Sequence, residues 1–329
     1  MSHGRRVLVT GASGYIGGKL VAALAGEGLD AVIAGDVRVP SEAAVDGGAA
    51  HHRAVRITGV IYEECDVRDG ALVRRLVAEH RVDTVVHLAS IVTPGKDSSP
   101  ELEYQVDVEG TRNVLDACRA EGVGKLIVTS SGAAYGYHPD NPEWLDEDDA
   151  IRGHEAFAYA RHKRLVEEML ARAREEHPEL AQLVFRPGTI LGEGTRNQIT
   201  ALFEKPVMLG IAGSASPFVF IWDEDVVACL VRGVREPVTG VFNLAGDGAL
   251  TTRELARRMG KPYLPLPAWL VRGALAVLRP LGLSRYGPEQ VDFLRYRPVL
   301  SNRRLKEAFG YTPLKTSAEV FDLFWGSRG

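Results

Sequence analysis

Cysteine is scarce in this 329-residue chain. Cys65, Cys118 and Cys229 are odd in number and far apart, which excludes a disulfide framework and any CxxC metal pair. They read as three reduced, buried thiols. Long apolar runs are missing as well. The most apolar late stretch, 264–283, carries Arg272, Arg279 and three prolines, so it does not read as a membrane span. The opening Met-Ser-His-Gly-Arg-Arg lacks the apolar core of a secretion signal, and a cytoplasmic protein is expected. No block of basic residues occurs and the net charge is -4. Neither a nucleic acid nor a membrane partner is therefore expected.

The chain exceeds the usual size of one domain, so a large domain with a smaller one appended is the natural organisation. Its first half alternates short apolar runs with helical patterns. Strands are expected at 6–10, 31–35, 60–63, 84–88, 125–129 and 182–186. Helices are expected at 15–26, 70–80, 101–121 and 155–176. A Gly/Ala/His-rich loop fills 37–58. Such alternation implies βαβ units and an α/β fold built on a doubly wound parallel sheet. That sheet places ligands at the carboxyl ends of its strands. After Gly192, Pro and Gly rise and helices shorten, with helices expected at 223–233, 252–259, 268–278 and 301–309. The expected organisation is a dinucleotide-binding Rossmann-type domain over 1–191 and a smaller, mainly helical substrate-binding part over 192–329. A strand near 236–247 would return to the sheet. The apolar helix 268–278 is open to reading as a lid, as core or as an oligomer face.

Thr10-Gly11-Ala12-Ser13-Gly14-Tyr15-Ile16-Gly17 follows the first strand and opens the first helix. Glycines here serve a tight turn, close approach to a pyrophosphate and helix–strand packing. The helix N-terminus then offers free N–H groups to the phosphates. Gly18-Lys19 does not make this a P-loop, because Ser13 stands where the first Gly belongs and Leu20 where Ser or Thr would bind magnesium. Asp36 ends the second strand, 19 residues after Gly17. An acid there bonds ribose hydroxyls and repels a 2′-phosphate, which favours NAD, while Arg38 keeps NADP open. Asp66-Val67, after the third strand, reads either as a bracket for the adenine or as a helix cap.

Tyr159 and Lys163 sit at i and i+4 of a helical pattern and share one face. An ammonium beside a phenol favours the phenolate, which suits a general acid/base. Ser131 follows a strand, so its hydroxyl lies at the carboxyl edge of the sheet. His51-His52-Arg53 reads as exposed loop, and Asp146-Glu147-Asp148-Asp149 as a solvated acidic loop. No metal site is expected. For Tyr135, His138 and His154, pocket lining and packing are both open.

These motifs, in this order, resemble the extended short-chain dehydrogenase/reductase family, the NAD-dependent epimerases and dehydratases. The resemblance covers nearly the whole chain. It rests on the glycine turn, Asp66-Val67, His87-Leu88-Ala89-Ser90, the 130–136 stretch Ser-Ser-Gly-Ala-Ala-Tyr-Gly, Tyr159-xxx-Lys163 and Arg186-Pro187-Gly188. Phe220-Ile221-Trp222-Asp223-Glu224-Asp225-Val226-Val227 and Asn243-Leu244-Ala245-Gly246 extend it. The resemblance implies that Ser131, Tyr159 and Lys163 are catalytic, and that Lys163 also binds the nicotinamide ribose. It implies that Leu88, Ala89, Ser90, Tyr159 and Pro187 lie beside the cofactor. The implied chemistry is hydride transfer between the nicotinamide and a secondary alcohol or ketone carbon of a small-molecule substrate. A redox-neutral epimerase that retains its NAD is the alternative, and a non-catalytic dinucleotide sensor is the second. Pairing through helices 101–121 and 155–176 would give a homodimer.

Three features depart from the family pattern. Gly132 and Ala133 stand where dehydratases of nucleotide sugars carry Asp-Glu, which speaks against dehydration. The stretch 213–219 lacks the Arg that binds a nucleotide diphosphate in such members, with Arg196, Lys205 and Arg295 as possible substitutes. Asp107 stands where the family often has Asn.

Overall fold

The computed structural model describes residues 5–40, 56–95, 98–284 and 286–328. His51, His52 and Arg53 lie outside the described residues, as does most of the 37–58 loop. The elements of the first half are β1 (Arg6–Thr10), α1 (Tyr15–Ala25), β2 (Ala31–Asp36), β3 (Val60–Glu64), α2 (Gly70–Glu79) and β4 (Thr84–His87). They continue with α3 (Pro100–Tyr104), α4 (Gly110–Ala120), β5 (Lys125–Thr129), α5 (Ala158–Glu176) and β6 (Ala181–Pro187). Between α3 and α4 the single helix expected at 101–121 widens into one π turn, Gln105–Glu109. Later come β7 (Thr189–Leu191), α6 (Gln198–Phe203), β8 (Met208–Ile211), β9 (Phe220–Trp222), α7 (Asp223–Arg235) and β10 (Gly240–Leu244). The chain ends with α8 (Thr252–Arg258), β11 (Tyr263–Leu266), α9 (Ala268–Leu278), α10 (Gln290–Arg295), α11 (Arg303–Glu307) and α12 (Ser317–Gly326).

Seven strands form one sheet in the order β10-β6-β5-β4-β1-β2-β3. The strands from β6 to β3 run parallel. This is the doubly wound parallel arrangement, and its strand order reverses between β1 and β4. Register aligns the strand ends there: Thr10 lies opposite both Gly35 and His87, and His87 opposite Val128. Strands β1, β2, β4, β5 and β6 are buried on both faces, which is why they read as continuous apolar runs, whereas the edge strand β3 is half-exposed.

The chain divides into two compact units: residues 1–130, 165–185 and 226–241, and residues 131–164, 186–225 and 242–329. The core of the first unit packs Leu8, Ile33, Val85, Leu126 and Val184 of the sheet against Leu76, Leu115 and Leu170 of the helices. The second unit holds two short parallel pairs, β7 with β9 and β8 with β11. Its main core is aromatic, with Phe203, Phe218, Phe220, Phe321 and Phe324 in mutual ring contact. Its helices α8 and α12 start from Ser/Thr-x-x-Glu boxes, in which Thr251 pairs with Glu254 and Thr316 with Glu319.

Candidate functional site

The first unit carries Gly11, Ser13, Gly14, Tyr15, Ile16, Gly17, Asp36, Arg38, Asp66, Val67, Leu88, Ala89 and Ser90. The second carries Ser131, Tyr159, Lys163 and Pro187. In the first unit, the turn after β1 is set by two backbone requirements. Gly11 has φ +71, and an added Cβ would lie 2.6 Å from the Ala89 nitrogen. At Gly17 the same atom would lie 2.1 Å from the Gly11 carbonyl oxygen. Both obstacles are backbone. No side chain caps α1 and its first turn holds no acid, so the positive end of the helix dipole suits an anion there.

Asp36 closes on this turn. Its carboxylate accepts from Ser13 N at 3.0 Å and from Arg38 N at 3.1 Å, while Ser13 Oγ donates to the Arg38 carbonyl at 2.6 Å. Asp66 is not the cap of α2. Asp69 is, accepting from Leu72 N at 3.0 Å. Asp66 instead binds the Arg68 guanidinium, which holds its carboxyl below the usual range. Cys65 lies buried between these acids. Burial and the charge of Asp36 push its thiol up to about 12, so it is no nucleophile.

The end of β4 is tied down by buried polar contacts. His87 joins Thr10 Oγ1 at 2.7 Å and Thr111 Oγ1 at 3.0 Å. The Thr111 hydroxyl donates to the Asp107 carbonyl at 2.6 Å, so His87 Nε2 is the donor in its pair. Asp107 sits in the π turn and is buried. Its Oδ1 accepts from Ser90 Oγ and from Ile91 N, both at 2.9 Å. Only an acceptor oxygen is used in these two bonds, and Asn supplies one equally well. Asp107→Asn keeps an acceptor for both bonds and is therefore expected to lower the melting temperature less than Asp107→Leu. Asp107→Leu orphans two donors and should cost about 1–3 kcal/mol, read from denaturant melts.

In the second unit, Ser131 lies two residues beyond β5 and caps the short turn Gly132–Tyr135, accepting from Ala133 N at 3.1 Å. Tyr159 and Lys163 fall one turn apart near the start of α5, with Lys163 Nζ 5.5 Å from the Tyr159 ring centroid. Lys163 is buried and Tyr159 half-buried. This is the pairing expected from the i, i+4 spacing.

Two expectations need correction or closing. The run 146–149 is only partly a solvated loop: Asp148 is exposed and Glu147 is not. Glu147 is buried, and its Oε1 accepts from Asn243 N at 2.7 Å. Asp146 and Asp148 pair with Arg303 and Arg304 of α11. Burial, with the neighbouring Asp146 charge, raises the Glu147 carboxyl. Tyr135, open between two readings, is packing: its ring is fully buried and its hydroxyl meets Arg186 Nη1 at 2.8 Å and Asn243 Oδ1 at 2.9 Å. Burial pushes its phenol up to about 12.

One group has no sequence signal. Arg297 stacks on Phe218, Cζ to ring centroid 3.8 Å, and on Phe293 at 4.9 Å. Its Nη1 donates to the Ser216 carbonyl at 3.3 Å. Its buried Nε has no hydrogen-bond partner, and neither does that of Arg295. Burial lowers the Arg297 guanidinium to about 9. Tyr137 is packed edge-on against Phe157 and Phe293, and burial raises its phenol, which the Arg297 charge partly offsets.

A family model described as "NAD dependent epimerase/dehydratase family" matches residues 7–245. The crystal structure of Thermus thermophilus UDP-glucose 4-epimerase, in complex with NAD, is 26% identical, with a TM-score of 0.72, and is covered to 99% by 98% of this chain. An uncharacterised protein of Mycobacterium tuberculosis is 25% identical over 325 residues, 98% of this chain and 84% of its own length. Cattle UDP-glucose 4-epimerase is 33% identical over 173 residues, 50% of this chain and 47% of its own. The chain belongs to the NAD dependent epimerase/dehydratase family. NAD is accordingly its cofactor, and the first unit fits that group. Its glycine turn leaves no room for a Cβ, its helix end is uncapped, and an acid closes β2.

Proposed function

We propose that this protein is an NAD-dependent oxidoreductase that moves hydride between the nicotinamide and a secondary alcohol or ketone carbon of a small molecule, with Tyr159 as acid/base. The supporting observation is the buried Lys163 ammonium 5.5 Å from the Tyr159 ring. It sets a fixed positive charge beside a phenol that must pass through an anionic form.

In the oxidising direction, Ser131 Oγ holds the substrate oxygen and Tyr159 Oη takes its proton. The carbon–hydrogen bond then breaks with its electron pair leaving on hydrogen, and the carbon–oxygen bond becomes a carbonyl. Bound NAD supplies the acceptor for that hydride. Lys163 is assigned to the nicotinamide ribose, Pro187 and the 88–90 strand end to the ring's surroundings, and Asp36 to the adenosine ribose. Asp36→Ala should relax the preference for NAD over NADP by roughly tenfold or more, since repulsion of the 2′-phosphate is lost. Titration of both dinucleotides measures this, and an unchanged ratio would remove Asp36 from the site.

A second reading is a redox-neutral epimerase of a nucleotide-sugar-like substrate. Arg295 and Arg297 favour it, because their unpartnered Nε groups offer guanidinium that the 213–219 stretch lacks. Likeness to an NAD-bound UDP-glucose 4-epimerase supports it too. Mass spectrometry of nucleotide released from denatured, desalted protein separates the readings. Stoichiometric NAD fits an epimerase, whereas an empty protein that binds added NAD and forms NADH with an alcohol fits a dehydrogenase.

A further inference from the structure

Of thirteen exposed large apolar residues among those described, eight fall on β8, β11, α9 and the turn after it: Leu209, Leu264, Trp269, Leu270, Val277, Leu281, Leu283 and Tyr286. Helix α9 has no buried residue at all. At about 100° per residue, its half-buried positions Ala268, Val271, Leu275 and Leu278 share one stripe. The outward face carries Trp269, Leu270, Gly273, Ala274 and Val277, and the exposed Arg272 and Arg279 flank it on one edge. A helix that packs on a core normally turns its apolar side inward. This one is apolar on both sides.

The charge around it is also unusual. In sequence, residues 251–297 hold nine Lys and Arg against three acids, a net +6 in a chain of net -4. Of the nine, Arg297 is enclosed between Phe218 and Phe293 and Arg285 lies outside the described residues, so the segment's remaining excess is +4. The excess is spread out, which is why no basic block is visible in the sequence. The acids are all engaged: Asp292 pairs with Arg272, Glu289 with Arg279, and Glu254 caps α8. Asp322, from α12, pairs with Arg258. Arg253 and Arg257 on α8 add exposed positive charge.

We propose that this face docks on an anionic lipid surface, against the sequence-based expectation of no membrane partner. Apolar side chains with tryptophan on one side and arginines along the edge are the make-up of a helix that lies in the headgroup region rather than spanning the bilayer. No helix among the described residues is long and apolar enough to cross a membrane. A second copy is the weaker occupant. Two copies of this face would bring like charge together, since the segment that carries it is net positive.

The test is co-sedimentation of the full chain with vesicles of phosphatidylcholine alone and of equal parts phosphatidylcholine and phosphatidylglycerol. Binding is expected to the mixed vesicles only, to weaken as salt is raised, and to fall about tenfold or more in Leu270→Glu/Val277→Glu. That variant replaces exposed residues, and retained NAD binding reports that it is folded. Trp269→Phe should remove the vesicle-induced blue shift of tryptophan fluorescence. Absence of binding to both vesicles, or binding indifferent to lipid charge and to the double substitution, overturns the proposal. So does a concentration-dependent dimer in sedimentation velocity that the double substitution dissolves, which would make the face a contact between copies.

Discussion

Tyr159→Phe is expected to cut turnover by roughly 10²–10⁴-fold while the dissociation constant for NAD stays nearly where it was. The substitution removes one oxygen and keeps the ring beside Lys163, so the packing of α5 is preserved. Lys163→Met should behave differently. It removes the charge beside the phenol and the group assigned to the nicotinamide ribose, so binding and turnover should fall together. Isothermal titration with NAD, run alongside turnover once a substrate is in hand, separates the two patterns. If Tyr159→Phe lost binding and turnover in equal measure, the phenol would be a structural group and the proposed chemistry would fail.

The second large effect is expected at Gly17. An added Cβ there meets the Gly11 carbonyl oxygen at 2.1 Å and Ala12 Cα at 2.9 Å. Both are main-chain atoms, so no side chain can rotate out of the way and the turn itself must open. Gly17→Ala should cost about 1–3 kcal/mol of stability and weaken NAD roughly tenfold to a hundredfold. Gly273→Ala in α9 is the matched control. Nothing lies within 4 Å of its added Cβ, and alanine suits a helix better, so stability should rise by up to about 1 kcal/mol. Wild-type NAD affinity in Gly17→Ala would mean that the pyrophosphate sits elsewhere.

The sheet was open to reading from the sequence because its inner strands are buried on both faces and appear as unbroken apolar runs bounded by turns. The strands of the second unit were not. β7, β8, β9 and β11 have three or four residues each, too short for a period to show. The π turn at Gln105–Glu109 was hidden for another reason: it changes the hydrogen-bond spacing of a helix whose side-chain pattern stays helical.

The sequence by itself determined the family, the parallel sheet and the local chemistry. A glycine turn, a strand-end acid, and a Tyr and Lys one helical turn apart are settled by neighbours within a few residues. Tertiary structure decided the fate of charge. Glu147 is buried because Arg304 arrives from far along the chain, with its Nε 3.7 Å from Glu147 Oε2. Arg297 is sandwiched because Phe218 and Phe293 converge on it. α9 keeps an apolar face outward because its neighbours cover only one stripe of it. Whether a charged or apolar side chain meets water depends on which distant segments reach it, and local spacing carries no record of that.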